Sequence, residues 1–289
     1  MARPQQTDAD LSGDLSPDAA LRRIAAACRA DLERHRAVVL KSRRPVGIHQ
    51  TRVALRRLRA AFNLFKGTID DPDMTSISDE ARWIAGELAP ARDLHVFLKE
   101  TAPDAQDPIP RIGRRLQKQH HERARQALSG PRYKEFAKRL AKFAATTPTS
   151  LGPPLATFGA GALRDRHVKV SKRGQHLARL DAEELHKLRI AVKKQRYAAG
   201  FLRDAFTGPS KRAKAYIEAT ARLQGVLGSL NDRAEAARIA DDIAEAARPS
   251  EKVAKPLARL AKQVKKGTKK DHRRLARAWK AFREVEPFW

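Results

Sequence analysis

The sequence predicts an all-α protein made of two pseudo-symmetric four-helix bundles, an internal duplication with a basic groove or channel between its halves. Three observations predict it. Ala, Leu, Arg, Lys, Glu and Gln dominate while β-branched runs are absent, which favours helix nearly throughout. Gly/Pro punctuation at Pro45–Gly47, Gly67–Pro72, Pro103–Pro110, Gly130-Pro131, Gly152–Pro154 and Gly208-Pro209 cuts the chain into helix-sized pieces. Two sequence segments recur, in the same order, later in the chain.

Taken in order, residues 1–16 read as a disordered, polar lead. Helix then starts at Ser16 as N-cap, with Pro17 at the first helical position and Asp18 in the first turn. The expected helices are 17–41, 47–66, 75–99, 108–146, 153–178, 182–206, 209–247 and 250–285. The first repeat pairs HQTRVALRRLRAAFNLF (49–65) with HKLRIAVKKQRYAAGFL (186–202), and the second pairs GELAPARD (86–93) with GVLGSLND (225–232). No gap is needed within either pair. Residues 17–289 are therefore expected to form one domain of two helical repeats, 17–146 and 153–287, joined by the Thr/Pro/Gly-rich TTPTSLGPP.

The charge narrows the partner. Sixty Lys and Arg face 33 Asp and Glu, a formal net charge of +27, so the chain repels itself unless a polyanion is bound. Nucleic acid, an anionic membrane and a phosphate polymer all qualify. The lone Cys28, in an Ala-rich run, reads as a buried thiol. No apolar stretch approaches the roughly 18 residues a membrane span needs, and no apolar leader is present, so a cytoplasmic location is expected.

The repeats put cations at fixed angular positions. At about 100° per residue, His49, Arg52, Arg56 and Arg59 share one sector beside the apolar face of Ala54, Leu55, Leu58, Ala61, Phe62 and Phe65. Residues 41–66 hold eight Lys/Arg and no acid. A solvated helix would set its charges opposite the core and mix in Glu, whereas like charges at this spacing cost a few tenths of a kcal/mol each. In the second copy His186, Arg189, Lys193 and Arg196 form the same sector, and Arg57 is matched by Lys194. Two such stripes meeting across a groove would suit a linear chain of phosphates, because Arg forks grip phosphate oxygens and Lys adds point charge. Arg114, His121, Arg125, Lys262, Lys266 and Lys269 could extend the wall.

At HQTRVALRRLRAAF, ARD, LHKLRIAVKKQRYAA and LGSLND the sequence resembles the CHAD family, over nearly the whole chain after residue 17. The resemblance implies paired four-helix bundles, a basic central surface, binding of inorganic polyphosphate, and association with polyphosphate granules. By motif position it implies phosphate contacts from Arg52, Arg56, Arg57, Arg59, Arg189, Lys193, Lys194 and Arg196, with His49 and His186 as the eponymous histidines. Pro90 and Gln195 depart from the family pattern and put local helix geometry in question. The family often accompanies a triphosphate-tunnel domain; none is legible here, so a stand-alone binding module is expected.

Other chemistry is expected to be absent. HERAR (121–125) misses H-E-x-x-H at its last position and there is no Cys cluster, so no metal site is expected. Neither a Walker-type Gly loop nor a carboxylate cluster appears, so no catalytic residue and no cofactor are expected. Asp93 and Asp232 read as helix caps or Arg partners, and Trp83, Trp279 and Trp289 as core or terminal anchors. The competing function is sequence-nonspecific nucleic-acid binding, which explains the charge but not the repeat, since exposed aromatics for stacking are few. Peripheral membrane attachment is weaker still, because the basic helices show no exposed Trp or Phe.

Overall fold

The computed structural model describes residues 9–69, 71–101, 105–148, 152–207, 210–248, 250–265 and 268–289, and over these the protein is all-α. Helices α1 (Pro17–Lys41), α2 (Pro45–Phe65), α3 (Asp73–Glu87), α4 (Ala89–Thr101), α5 (Ile109–Ser129) and α6 (Pro131–Ala145) precede the Thr/Pro/Gly-rich joint. Helices α7 (Leu155–Arg173), α8 (Ala182–Leu202), α9 (Ser210–Ala246), α10 (Ala254–Lys265) and α11 (Thr268–Glu284) follow it.

Local chemistry sets the helix ends. The Ser16 hydroxyl accepts from Ala19 N–H at 3.2 Å with Pro17 next in line, as its residue types require. At α8, Asp181 accepts from Glu184 N–H at 2.8 Å while the Glu184 carboxylate accepts from Asp181 N–H at 3.0 Å, a reciprocal capping box.

Three expected helices are each two. The 75–99 segment breaks at Leu88 because Pro90 has no N–H to offer the Gly86 carbonyl; its counterpart Ser229 has one, and α9 runs unbroken through the equivalent stretch. The 108–146 segment turns at Gly130-Pro131, where Gly130 is extended (ψ 167°) and Pro131 opens α6. The 250–285 segment divides into α10 and α11 around residues 266–267, which lie outside the described residues.

The lead also differs from expectation in its described part. Leu11 is fully buried, and the Leu15 carbonyl accepts from Leu155 N–H at 2.9 Å, tying residues 9–16 to the start of α7. An apolar residue at position 11 can close the end of the core, which a polar-looking segment conceals. Residues 1–8 lie outside the described residues.

Packing joins the halves. The main core draws Leu21, Leu55, Phe65, Phe136 and Phe143 from the first half together with Leu163, Leu188, Leu202, Tyr216 and Phe282 from the second. Phe65 stacks on Phe158 with ring centroids 5.0 Å apart. A smaller core links Leu94, Phe97 and Ile112 to Ile239, Ile243 and Leu260. Helix α2 packs on α1 and α3 and also on α8, so the two repeat helices touch directly.

Three further expectations meet their geometry. Cys28 is fully buried, and desolvation pushes its thiol up to about 12, so it is no nucleophile near neutral pH. Gln195 is buried, and its amide nitrogen donates to the Leu163 carbonyl (3.3 Å) and the Tyr216 hydroxyl (2.7 Å), while α8 continues through it. Trp279 and Trp289 are aromatic anchors, the latter 4.9 Å from Tyr216, whereas Trp83 is half-buried under the Arg132 guanidinium.

The tightest approach is at Gly174, where a Cβ would stand 2.1 Å from Trp279 Cη2. Gly174→Ala is expected to lower stability by about 1–3 kcal/mol through overpacking, read as a lower urea midpoint. An unchanged midpoint would mean the Trp279 ring is not held there.

Candidate polyanion-binding seam

On α2, one turn after another presents His49, Arg52, Arg56 and Arg59, all partly buried beside the core. On α8, Arg189 and Lys193 are likewise partly buried. The stripes come together where α2 packs on α8. Burial first, then Arg189, Arg56, Arg59 and Lys194, hold the Lys193 ammonium below the ordinary lysine range, and no carboxylate among the described residues opposes them. Arg59 is pulled below its ordinary range by burial and by Arg82, with Asp79 opposing. Its Nε is buried without a hydrogen-bond partner among the described residues, a cost of about 1–3 kcal/mol unless a ligand accepts from it.

Helix α4 adds basic side chains that the repeat did not flag. Arg92 is held low by burial and by Arg56, and His95 by burial and Arg92. The ARD motif contained Arg92, but its counterpart is Asn231, so a search for basic residues in both copies discards it. His95 lies one turn beyond Arg92, and that spacing was the available signal. His49, amid Arg92, Arg56 and Arg52, is driven down to about 4, mainly by burial, and is neutral at pH 7.

The remaining expected residues divide. Arg52 donates to the Ala85 carbonyl beside the Pro90 break and lies 3.9 Å from Asp93, so Asp93 is an Arg partner as expected. Arg196 donates to Gln224 at 2.6 Å and lies over the Tyr197 ring, anchored toward α9. His186 is exposed near the start of α8. Lys194 is exposed and faces Arg166, Lys169 and Arg173 of α7, away from the α2 stripe.

Arg57 is a correction. It is 7 % exposed and paired with the 2 %-exposed Asp31 at 3.5 Å, with its guanidinium 5.9 Å from the Phe201 ring. One residue on from Arg56, the helix has turned about 100° and points this cation into the core.

The outer set also differs from a continuous wall. His121 is buried, with Nε2 3.0 Å from the Ser42 carbonyl, and Arg125 donates to the Leu40 carbonyl at 2.6 Å; both close the C-terminal end of α1. Arg114 is exposed on α5 and Lys262 is exposed on α10. Lys266 and the side chains of Lys269 and Asp232 lie outside the described residues. Among the described residues, no group of three or more His, Cys, Asp or Glu could hold a metal ion, and no helix is long and apolar enough to cross a membrane.

Fold and seam together define an all-helical protein whose cations are gathered between packed helices. The CHAD domain family model matches residues 23–241, and the chain belongs to that family. The crystal structure of the CHAD domain from the plant Ricinus communis superposes with a TM-score of 0.83 at 25 % identity, covering 100 % of this chain and 99 % of that one. PptA from Streptomyces chartreusis shares the fold at a TM-score of 0.59 and 18 % identity, over 93 % and 98 % of the two chains. No curated protein matches the chain in sequence.

Two outcomes test these placements. Arg57→Leu removes the buried cation paired with Asp31, and is expected to cost about 3–5 kcal/mol; equal melting temperatures for this variant and the wild type would contradict the buried pair. Folded His49 titrates near 4, whereas the unfolded chain takes up that proton near 6.5. Stability is therefore fully present above about pH 6.5 and declines as pH falls toward 4. Thermal melts between pH 7 and 4.5 should show a shallower decline in His49→Gln, and identical slopes would remove His49 from the buried cluster.

Proposed function

We propose that the protein binds inorganic polyphosphate non-catalytically along the α2–α8 seam, and that this attaches it to polyphosphate granules. The reading is supported above all by the Lys193 environment, where Arg56 and Arg59 from α2 and Arg189 from α8 crowd one partly buried ammonium with no acid among the described residues to offset them. A pair of like charges a few Å apart costs on the order of a few kcal/mol at an effective dielectric near 20. A bound phosphate chain reverses the sign of that interaction and supplies the acceptor that Arg59 Nε lacks.

In this reading Arg56, Arg59, Arg189 and Lys193 contact the chain, with Arg92 adding charge on the α4 side and Arg52 and Arg196 flanking. His49 starts neutral, and a neighbouring polyanion raises its affinity for a proton. His186, Lys194, Arg114 and Lys262 lie at the periphery, where exposed cations contribute mostly long-range attraction. The polymer suits the seam better than duplex DNA does, because a partly buried strip admits a narrow strand more readily than a wide duplex.

Charge reversal of Arg56 and Lys193 together (Arg56→Glu with Lys193→Glu) is expected to lower affinity for polyphosphate of tens of residues at least about 100-fold. The wild type should show steep salt dependence, and circular dichroism should be unchanged in the variant. Unaltered affinity would move the site elsewhere. Polyphosphate should also displace bound duplex DNA at equal phosphate concentration in an electrophoretic competition, and the reverse ranking would favour a nucleic-acid-binding protein.

A further inference from the structure

A cavity of about 310 Å³ opens between the start of α2, the first turns of α4 and the middle of α5. Arg43, Arg92, Arg114 and Lys118 line it together with His95 and His121, and none of its lining residues is acidic. Pro45, Ile48 and Ala91 form its apolar wall. The volume is at the lower end of what small-molecule sites occupy, about 300–1,000 Å³.

One wall residue is left chemically incomplete. His121 is 5 % exposed and uses Nε2 on the Ser42 carbonyl, which fixes the proton there. Its Nδ1 is buried with no hydrogen-bond partner among the described residues. A buried ring nitrogen left unmatched costs about 1–3 kcal/mol, so the site is better satisfied by a ligand that brings a hydroxyl to it. A monoprotonated phosphate and a sugar hydroxyl both qualify.

From this the geometry points to a second anion site, beside the seam and sharing only its margin at Arg92, that takes a compact oligophosphate of two or three phosphates. Four cations with no acid among them match the charge of two or three linked phosphates, since a bridging phosphate carries about one negative charge and a terminal one about −1.5 to −2. A cavity of about 310 Å³ limits how many it holds. Two sources share that chemistry, inorganic triphosphate and a nucleoside triphosphate; the apolar wall has use for carbon only in the second. The site does not depend on the seam reading, although Arg92 lies beside both.

Isothermal titration with tripolyphosphate and, separately, with ATP tests it on the full chain. At least one probe is expected to bind one-to-one, and Arg114→Glu with Lys118→Glu should weaken it at least about tenfold. Both residues are exposed, so the variant is expected to fold, with circular dichroism as the check. The Arg56→Glu/Lys193→Glu variant should bind that probe within about threefold of wild type. Tighter binding of ATP would identify an organic ligand, and tighter binding of tripolyphosphate an inorganic one. Absence of one-to-one binding by either probe overturns the site, as does binding lost in the seam variant but kept in the cavity variant. Long-chain polyphosphate measured on the same two variants reports separately on the seam.

Discussion

Packing α2 against α8 obliges the cations of both helices to share one partly dehydrated strip. Each helix buries an apolar face in a core common to both halves, so neither can rotate its basic sector away without exposing Leu55, Leu58, Leu188 or Val192. Hydrophobic burial thus holds in place an electrostatic arrangement that would otherwise disperse. The depressed Lys193 and the unmatched Arg59 Nε register that opposition.

The same constraint sorts cations into supports and available groups. Arg57 and Asp31 form a buried pair, and Arg125 and His121 close the carbonyl end of α1. These residues stiffen the frame around α2 without presenting charge to a ligand. Arg56 and Arg59 on α2, and Lys193 on α8, have no such carboxylate or carbonyl partner among the described residues. Arg57 and Arg56 are adjacent in sequence and belong to opposite categories, because 100° of rotation separates the core from the seam.

Prolines tune this frame in one half only. The break at Leu88 opens α4 with Arg92 and Asp93 in its first turns, and the Ala85 carbonyl beside the break accepts from Arg52. The unbroken α9 carries Asn231 at the position matching Arg92. The added cations of α4 therefore lie on the first-half side, and the α2–α4–α5 cavity shares Arg92 with the seam.

Helix content, the cap at Ser16, the basic sectors of the repeat helices and the excess of positive charge were all legible in the sequence, because each depends on local spacing or on a sum over the chain. The sequence did not separate Arg57 from its neighbours, since a cation in the core needs a partner such as Asp31, 26 positions away, and residue type does not disclose that pairing. Nor did it find the cavity, whose walls come from three helices brought together by burial of apolar surface distant from it. Local rules set which residues share a face. Only tertiary packing decided which faces meet, and hence which cations share one partly dehydrated strip.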